Sequence, residues 1–214
     1  MPDIESMPLD QKLAVRAARD RLMREFRDKL GAETVDSVMD ASWEQMEAAA
    51  RLKTHVPNLA ERFARAQLWA LARMRGHHEG VPAVVFIDTY DAGRGRMANA
   101  VFARRAGRHG LSFSAGTDPK VGLDGPVLDA MSEIGISLAG TFPKPYTSDI
   151  LQAADVVVTF AGTPQVPVPD STRHIVWDVP DPRGHTLEEV RAIRDDLVAR
   201  TDTLADSLGV PRTG

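Results

Sequence analysis

The stretch from Val84 to Ala98 constrains the fold of this chain most, because three kinds of local structure follow one another in it without a gap. The apolar run that ends at Ile87 predicts a buried strand. Residues 88–93 predict a tight loop, and a helix is expected from Arg96. In such a loop the backbone N–H groups converge at the N-terminus of a helix, which favours an anion whatever the side chains are.

A polar segment that contains Gly80 and ends at Pro82 separates two kinds of sequence pattern, and it predicts a linker at residues 77–82. In residues 1–76, apolar side chains recur at three- and four-residue steps, as they do in amphipathic helices. We expect helices at residues 9–30, at residues 33–52, and from after Pro57 to about Met74. Together they predict an all-α three-helix bundle as a first domain.

Residues 83–214 show strand and helix patterns in alternation, which predicts a second domain of the α/β class. Expected strands cover residues 83–87, 111–114, 156–160 and 173–176, and expected helices cover residues 96–106, 126–134, 146–153 and 187–208. Alternation of this kind predicts a four-stranded parallel sheet flanked by helices. Ligands of such sheets bind at the carboxyl ends of the strands, where residues 88–94 are expected.

The composition excludes several functions. The 214 residues contain no cysteine, so the chain has no disulfide, no thiolate metal ligand and no thiol nucleophile. The formal net charge of −4 and the absence of a basic stretch argue against a nucleic-acid partner. No apolar run approaches the roughly 20 residues that cross a bilayer, and residues 1–10 lack the basic and apolar regions of a secretion signal. We therefore expect a cytoplasmic protein without a membrane partner.

Several segments of residues 83–208 resemble the arsenate reductase branch of the low-molecular-weight protein tyrosine phosphatases. Besides the loop, the resemblance rests on Ser-Ala-Gly at 114–116, Ala-Met-Ser-Glu-Ile-Gly-Ile at 130–136, Phe-Pro-Lys-Pro at 142–145, Ala-Asp-Val-Val-Val-Thr at 154–159 and Trp-Asp-Val-Pro-Asp-Pro-Arg-Gly at 177–184. In that family the first strand runs into Cys-x5-Arg-Ser, and the loop wraps its N–H groups around an oxyanion. Asp88 stands six residues before Arg94, in the place of the cysteine. The helical domain resembles an extension found in some longer members.

The resemblance implies a division of roles around the loop. In active members a thiolate attacks phosphorus or arsenic, an arginine and the loop amides hold the oxyanion, and an aspartic acid in an Asp-Pro loop protonates the leaving group. By motif, Arg94 keeps the place of the arginine and Asp181 keeps the place of the acid. Gly95 replaces the serine that stabilises the thiolate, and Asp91 replaces the asparagine that braces the loop. Without a cysteine, neither cysteinyl-phosphate chemistry nor thiol-based arsenate reduction is expected.

Three interpretations of the altered loop follow. In the first, the Asp88 carboxylate accepts hydrogen bonds from the loop N–H groups and pairs with Arg94. The site is then closed to ligands. In the second, Asp88 turns aside and Arg94 holds a phosphate or sulfate together with the amides. The negative charges of Asp88 and Asp91 against one positive charge oppose this second interpretation. In the third, both carboxylates converge with that of Asp181 as an acid/base or Mg²⁺ site of a repurposed enzyme.

We expect a cysteine-free relative of these enzymes that is inactive in the parent chemistry and uses the modified loop for ligand binding or regulation. The alternative is a repurposed enzyme whose chemistry is centred on the three acids and Arg94. The expected partner is a small-molecule ligand, with an oxyanion as the first candidate, and the helical domain is expected to provide a homodimer interface. No cofactor and no metal are expected. Candidate catalytic residues are Asp88, Arg94 and Asp181, and candidate ligand-binding residues are Thr89, Tyr90, Asp91, Ala92, Gly93 and Gly95.

Overall fold

The computed structural model of the chain describes residues 7–49, 56–77, 80–120, 122–138 and 141–212. The chain folds into two compact units, residues 1–78 and residues 79–214. Residues 78 and 79 of the predicted linker lie outside the described residues. In the described ranges, no helix has the length and apolarity that crossing a bilayer requires.

The described residues of the first unit form three helices, which are α1 (Leu9–Leu30), α2 (Ala32–Ala49) and α3 (Val56–Met74). Each helix packs against the other two. The expected end of the second helix at Leu52 lies outside the described residues. α3 includes Pro57 in its first turn, where the missing N–H of proline would have no helical partner in any case.

Charged and apolar contacts both hold this unit together. Glu61 of α3 is 7% exposed and accepts hydrogen bonds from Arg21 of α1 at 2.6 Å and from Arg65 at 2.9 Å. The hydrogen bond from Arg21, supported by Arg65, holds the pKa of Glu61 below its usual value. The buried face of α1 begins at Val15, so Leu13, which the periodicity places on the apolar side, is 56% exposed.

In the second unit the described residues form four strands, which are β1 (Ala83–Asp88), β2 (Leu111–Gly116), β3 (Val156–Phe160) and β4 (Arg173–Trp177). Their order across the sheet is β2-β1-β3-β4, and each neighbouring pair is parallel. The helices are α4 (Arg94–Ala106), α5 (Gly125–Glu133), α6 (Ser148–Ala153) and α7 (Leu187–Ser207). The expected α/β fold, a four-stranded parallel sheet flanked by helices and preceded by a helical segment, is confirmed.

The two central strands, β1 and β3, are buried along their whole length. Burial on both faces explains why these strands are continuous apolar runs in the sequence. Behind them, Phe86 packs against Trp177 with 5.8 Å between ring centroids, and Trp177 packs against Phe160 at 6.0 Å. This aromatic packing supports the end of the sheet from which the loop after β1 emerges.

Two boundaries at this loop differ from the sequence-based expectation. β1 extends to Asp88, because Asp88 still pairs with Gly116 of β2. α4 begins at Arg94 and not at Arg96, because the carbonyl of Gly93 accepts a hydrogen bond from the N–H of Met97 at 3.0 Å. The connection between strand and helix is therefore confined to residues 89–93.

Candidate functional site

The candidate site lies where β1 ends, at the point of the sheet where the strand order reverses. The chain passes from β1 to β2 on one side and later adds β3 on the other side of β1. Loops at such a switch point line a crevice at the carboxyl edge of a sheet. Residues 89–93 join Asp88, the last residue of β1, to Arg94, the first residue of α4, so the loop amides lie beside the positive end of a helix.

Asp88 places its carboxylate among the amides of this loop. Its Oδ1 accepts hydrogen bonds from the backbone N–H groups of Tyr90 at 3.1 Å and Asp91 at 2.5 Å, and its Oδ2 accepts one from Gly95 at 2.9 Å. Asp88 is only 4% exposed. Burial raises the pKa of Asp88 above its ordinary value, while the amide of Gly95 opposes the shift. The carboxylate thus accepts hydrogen bonds from the loop N–H groups, as the first interpretation of the sequence expects.

Gly95 gives this carboxylate the space that it occupies. A Cβ at residue 95 would lie 3.3 Å from Oδ2 and 3.4 Å from Cγ of Asp88. Because the shorter of these distances is tighter than most real Cβ contacts, a serine at this position crowds the carboxylate. Glycine at residue 95, where the resemblance implies a serine, therefore leaves room for the aspartate side chain at residue 88.

Arg94 does not pair with Asp88, which corrects the remainder of the first interpretation. Its Nη1 donates to the carbonyl oxygen of Val179 at 2.7 Å and to that of Ala161 at 3.2 Å. Its Cζ lies 5.1 Å from the ring centroid of Phe160. Within the described ranges, the guanidinium makes no ion pair. Arg94 is therefore oriented by main-chain carbonyls that follow β3 and β4, and not by the carboxylate of the loop.

Asp91 braces the loop from its buried side. Its φ of 48° is left-handed, a conformation that aspartate tolerates better than most residues, and it is fully buried. Its Oδ2 accepts hydrogen bonds from the backbone N–H of Lys144 at 2.9 Å and from the Nζ of Lys144 at 3.3 Å. Its Oδ1 lies 3.7 Å from Nε of Arg96. The carboxylate of Asp91 thus lies beside two cationic side chains of the protein itself, those of Lys144 and Arg96.

Arg96 and Lys144 are the site residues that sequence reasoning missed. Arg96 is 3% exposed, and Lys144 also donates from Nζ to the Ser114 hydroxyl at 3.0 Å. The balance of charge at the loop therefore differs from the expected two carboxylates against one cation, since these residues add two cations beside Asp91. Lys144 belongs to the Phe-Pro-Lys-Pro motif at 142–145, so the sequence drew attention to it. The resemblance, however, implied no role for this lysine.

β2 supports the loop from behind at Gly116. A Cβ at this residue would lie 2.8 Å from the backbone nitrogen of Asp91 and 2.9 Å from the carbonyl carbon of Tyr90. Real Cβ atoms essentially never come so close to backbone, so the loop can approach the strand only at a glycine. The N–H of Gly116 also donates to the carbonyl of Lys144 at 2.9 Å. One strand end therefore positions both the loop and the lysine that neutralises Asp91.

The carbonyl groups at the start of the loop are bonded to the segment after β2. Thr89 accepts a hydrogen bond from the N–H of Asp118 at 2.7 Å, and Tyr90 accepts one from the N–H of Lys120 at 3.1 Å. The Tyr90 ring has two cations against it, with Lys120 Nζ 5.0 Å and Arg183 Cζ 4.1 Å from its centroid. These contacts fix the rim of the loop on the side of Tyr90.

The Asp-Pro segment lies against the loop at Gly93. A Cβ at Gly93 would lie 3.0 Å from Pro182 Cγ and 3.6 Å from Asp181 Oδ1. Asp181 is exposed, and its carboxylate accepts hydrogen bonds from the backbone N–H of Arg183 at 3.1 Å and from Arg183 Nη2 at 3.0 Å. The structure thus places the expected acid beside the loop, with Arg183 as its partner.

The carboxylates of Asp88, Asp91 and Asp181 have different partners in the structure. The first is bonded to loop amides, the second lies beside the buried Arg96 and the half-buried Lys144, and the third is exposed and paired with Arg183. In the part of the chain that the structure describes, no three His, Asp or Glu side chains are grouped as a metal site requires. The Mg²⁺ site of the third interpretation therefore finds no such group among the described residues, whereas an acid/base role of Asp88 and Asp181 stays a prediction.

Two family models match the chain. The model described as Protein-tyrosine-phosphatase-like, N-terminal domain, matches residues 13–72. The model described as Low molecular weight phosphotyrosine protein phosphatase matches residues 83–212. The second match covers more than half of the chain, including the loop after β1 and the Asp-Pro segment.

Named relatives extend this similarity. A putative arsenate reductase of Halobacterium salinarum is 32% identical over 127 residues, which are 56% of this chain and 89% of that protein. An arsenate reductase of Brevibacillus brevis is 29% identical over 132 residues, which are 60% of this chain and 98% of that protein. The structure of a thioredoxin-dependent arsenate reductase of Corynebacterium glutamicum is similar over 93% of this chain and 98% of its own, with a TM-score of 0.73 and 28% identity.

Proposed function

Because the chain belongs to the low molecular weight phosphotyrosine protein phosphatase family and contains no cysteine, we propose that it performs neither cysteinyl-phosphate hydrolysis nor thiol-based arsenate reduction. In this proposal the modified loop serves ligand binding or regulation. The relatives named as arsenate reductases support an oxyanion as the first class of ligand to test.

The position of the Asp88 carboxylate carries this proposal. It is 4% exposed and accepts three hydrogen bonds from backbone N–H groups of the loop and of α4. A carboxylate in this position acts as a built-in anion. A phosphate about 5 Å away would meet a repulsion of about 3 kcal/mol at an effective dielectric constant of about 20. The resting loop is therefore closed to external oxyanions while Asp88 is ionised.

Other groups of the loop support ligand binding once that charge is removed. Within the described ranges, the backbone N–H groups of Ala92, Gly93 and Arg94 donate no hydrogen bond. The charge of Asp91 is already offset by Lys144 and Arg96. An oxyanion that meets a neutral Asp88 therefore finds free N–H donors at the start of a helix, which favour negative charge.

Activity assays with restored thiol chemistry test the proposal. We expect no hydrolysis of an aryl phosphate and no arsenate reduction by the wild-type chain. The double variant Asp88→Cys with Gly95→Ser is expected to hydrolyse the aryl phosphate, because it regains the nucleophile and the serine that stabilises a thiolate. Asp88→Ser with Gly95→Ser is the matched control, since it has the same small side chains without a thiol. Turnover by the wild-type chain would overturn the proposal.

The alternative of a repurposed enzyme has one observation in its favour. Burial raises the pKa of Asp88, and raised carboxyl pKa values are frequent among acid/base catalysts. If such an enzyme exists here, any turnover should be lost in both Asp88→Asn and Asp181→Asn. Asp129→Asn, the same change at an exposed aspartate of α5, is the control and should leave turnover unchanged.

A further inference from the structure

β4 is an open edge of the sheet, on the side away from the loop after β1. It is the last strand in the order and, among the described residues, pairs with β3 alone. The N–H of Arg173 donates to the carbonyl of Asp155 at 3.1 Å, on the side of β3. In a parallel ladder alternate residues bond to the same neighbour, so His174 and Val176 present their N–H and C=O groups to the open edge. An edge of this kind is a template for a further strand.

An apolar groove lies beside this edge, between β4 and α7. Its volume is about 340 Å³, and its apolar lining consists of Ile175, Trp177, Ala199 and Leu204. Val176 on the neighbouring position of β4 is 61% exposed. A groove of this size next to unpaired main-chain groups fits an apolar side chain of an extended peptide.

The charges of the groove favour an acidic occupant. Arg173 and Arg200 both line it. Arg200 already pairs with Asp196 at 2.9 Å, whereas Arg173 makes no ion pair with any residue in the described ranges. The five residues of β4, Arg-His-Ile-Val-Trp, contain no carboxylate that a second copy of the strand could pair with Arg173. Charge complementarity therefore argues for a different chain that carries an acidic residue.

We propose that the edge of β4 binds an extended, acidic peptide segment of another protein, which adds a strand to the sheet. The main chain of the peptide pairs with His174 and Val176. An apolar side chain enters the groove between β4 and α7, and an acidic side chain meets Arg173. This surface is separate from the loop after β1 and does not depend on the function proposed for that loop.

Fluorescence polarisation with the full chain and labelled peptides of the repeat Val-Ser-Glu-Ser tests this proposal, because valine and glutamate then point to the same face of the added strand, as Ile175 and Arg173 do on β4. We expect saturable binding of the valine–glutamate peptide and at least tenfold weaker binding of the valine–lysine counterpart. Arg173→Glu should weaken binding of the glutamate peptide at least tenfold. Arg108→Glu, the same charge change at an exposed arginine outside β4 and α7, is the matched control and should leave binding unchanged.

The main-chain part of the proposal is tested on the peptide, so that the protein stays unaltered. Successive residues of an added strand point their N–H groups to opposite sides. N-methylation of either all serines, or all valines and glutamates, should therefore abolish binding in one case and preserve it in the other. Equal binding of both methylated peptides, equal binding of the glutamate and lysine peptides, or an equal effect of Arg173→Glu and Arg108→Glu would overturn the proposal. A concentration-dependent dimer that Arg173→Glu dissociates would also overturn it, because the edge would then serve a second copy.

Discussion

At the scale of single residues, Asp88 and Gly95 form a matched pair. The carboxylate uses the N–H of Gly95 as a donor at 2.9 Å, and it also uses the space that a side chain at residue 95 would take. A cysteine at residue 88 has one heavy atom beyond Cβ, whereas aspartate has three. The size of the side chain at residue 88 and the absence of a side chain at residue 95 are therefore matched to each other.

Gly95→Ala measures the coupling within this pair. Alanine in a helix is ordinarily more stable than glycine by up to about 1 kcal/mol, but here its Cβ would lie 3.3 Å from Asp88 Oδ2. We expect Gly95→Ala to destabilise the wild-type chain and to stabilise the Asp88→Cys variant, with a coupling free energy of about 1–2 kcal/mol in urea unfolding. Strictly additive effects would contradict the pairing.

The protonation of Asp88 should control oxyanion binding. Burial raises the pKa of Asp88, so its carboxyl becomes neutral at a higher pH than an exposed aspartate, and the repulsion of an anion disappears below that pKa. We expect the affinity for sulfate, which keeps its charge in this range, to rise at least tenfold as the pH falls from about 7.5 to about 5. Asp88→Asn should bind sulfate without this pH dependence. Parallel pH profiles for both proteins in calorimetric titrations would refute the mechanism.

The sequence predicts the place of Asp88 but not the partners of its neighbours. An apolar strand before it and a helix after it fix Asp88 at the edge of the sheet. Asp91 meets Lys144, which is 53 residues away, and Arg94 meets the carbonyl of Val179, which is 85 residues away. Helix and strand periodicities relate only residues that are close in sequence. The charge balance at Asp91 and the orientation of the Arg94 guanidinium therefore could not be derived from the sequence.

At the scale of elements, the loop after β1 keeps its shape because the end of β2 lies directly behind it. The contact requires Gly116, whose missing side chain leaves room for the backbone of Tyr90 and Asp91. The alternation of apolar runs predicts both strands, since burial on two faces makes such runs continuous. The start of α4 differs from expectation because the first hydrogen bond is accepted by the carbonyl of Gly93, which a side-chain pattern does not report.

Gly116→Ala should displace the loop. Its Cβ would meet backbone atoms at 2.8 and 2.9 Å, and overpacking of this kind costs about 1–3 kcal/mol. Gly125→Ala is the matched control, because a Cβ at Gly125 meets nothing within 4 Å, and its effect should stay within about 0.5 kcal/mol. Urea unfolding and the amide chemical shifts of Tyr90 and Asp91 report the difference. Equal stability of the two variants would contradict the role given to Gly116.

At the scale of the whole molecule, the helical unit carries the exposed apolar residues that a homodimer would bury. Leu9 and Leu13 lie one turn apart on α1 and are 72% and 56% exposed. Burying one leucine side chain contributes about 1.5–3 kcal/mol to the free energy of association. In a two-fold interface each leucine is buried in both subunits. We expect a dimer at micromolar concentration in sedimentation experiments and a monomer for Leu13→Glu. Leu128→Glu, at a 38% exposed leucine of α5, is the control. A monomeric wild-type chain would exclude this interface.

The central claim is that the Asp88 carboxylate occupies the oxyanion site of the loop, and calorimetric titration with phosphate at about pH 7.5 tests it most directly. We predict no saturable heat for the wild-type chain and clear binding for Asp88→Ala, because this substitution frees the N–H groups of Tyr90, Asp91 and Gly95. Asp118→Asn, which removes a 59% exposed carboxylate after β2, should behave like the wild type. Phosphate binding by the wild-type chain that equals binding by Asp88→Ala, or no binding by either protein, would contradict the claim.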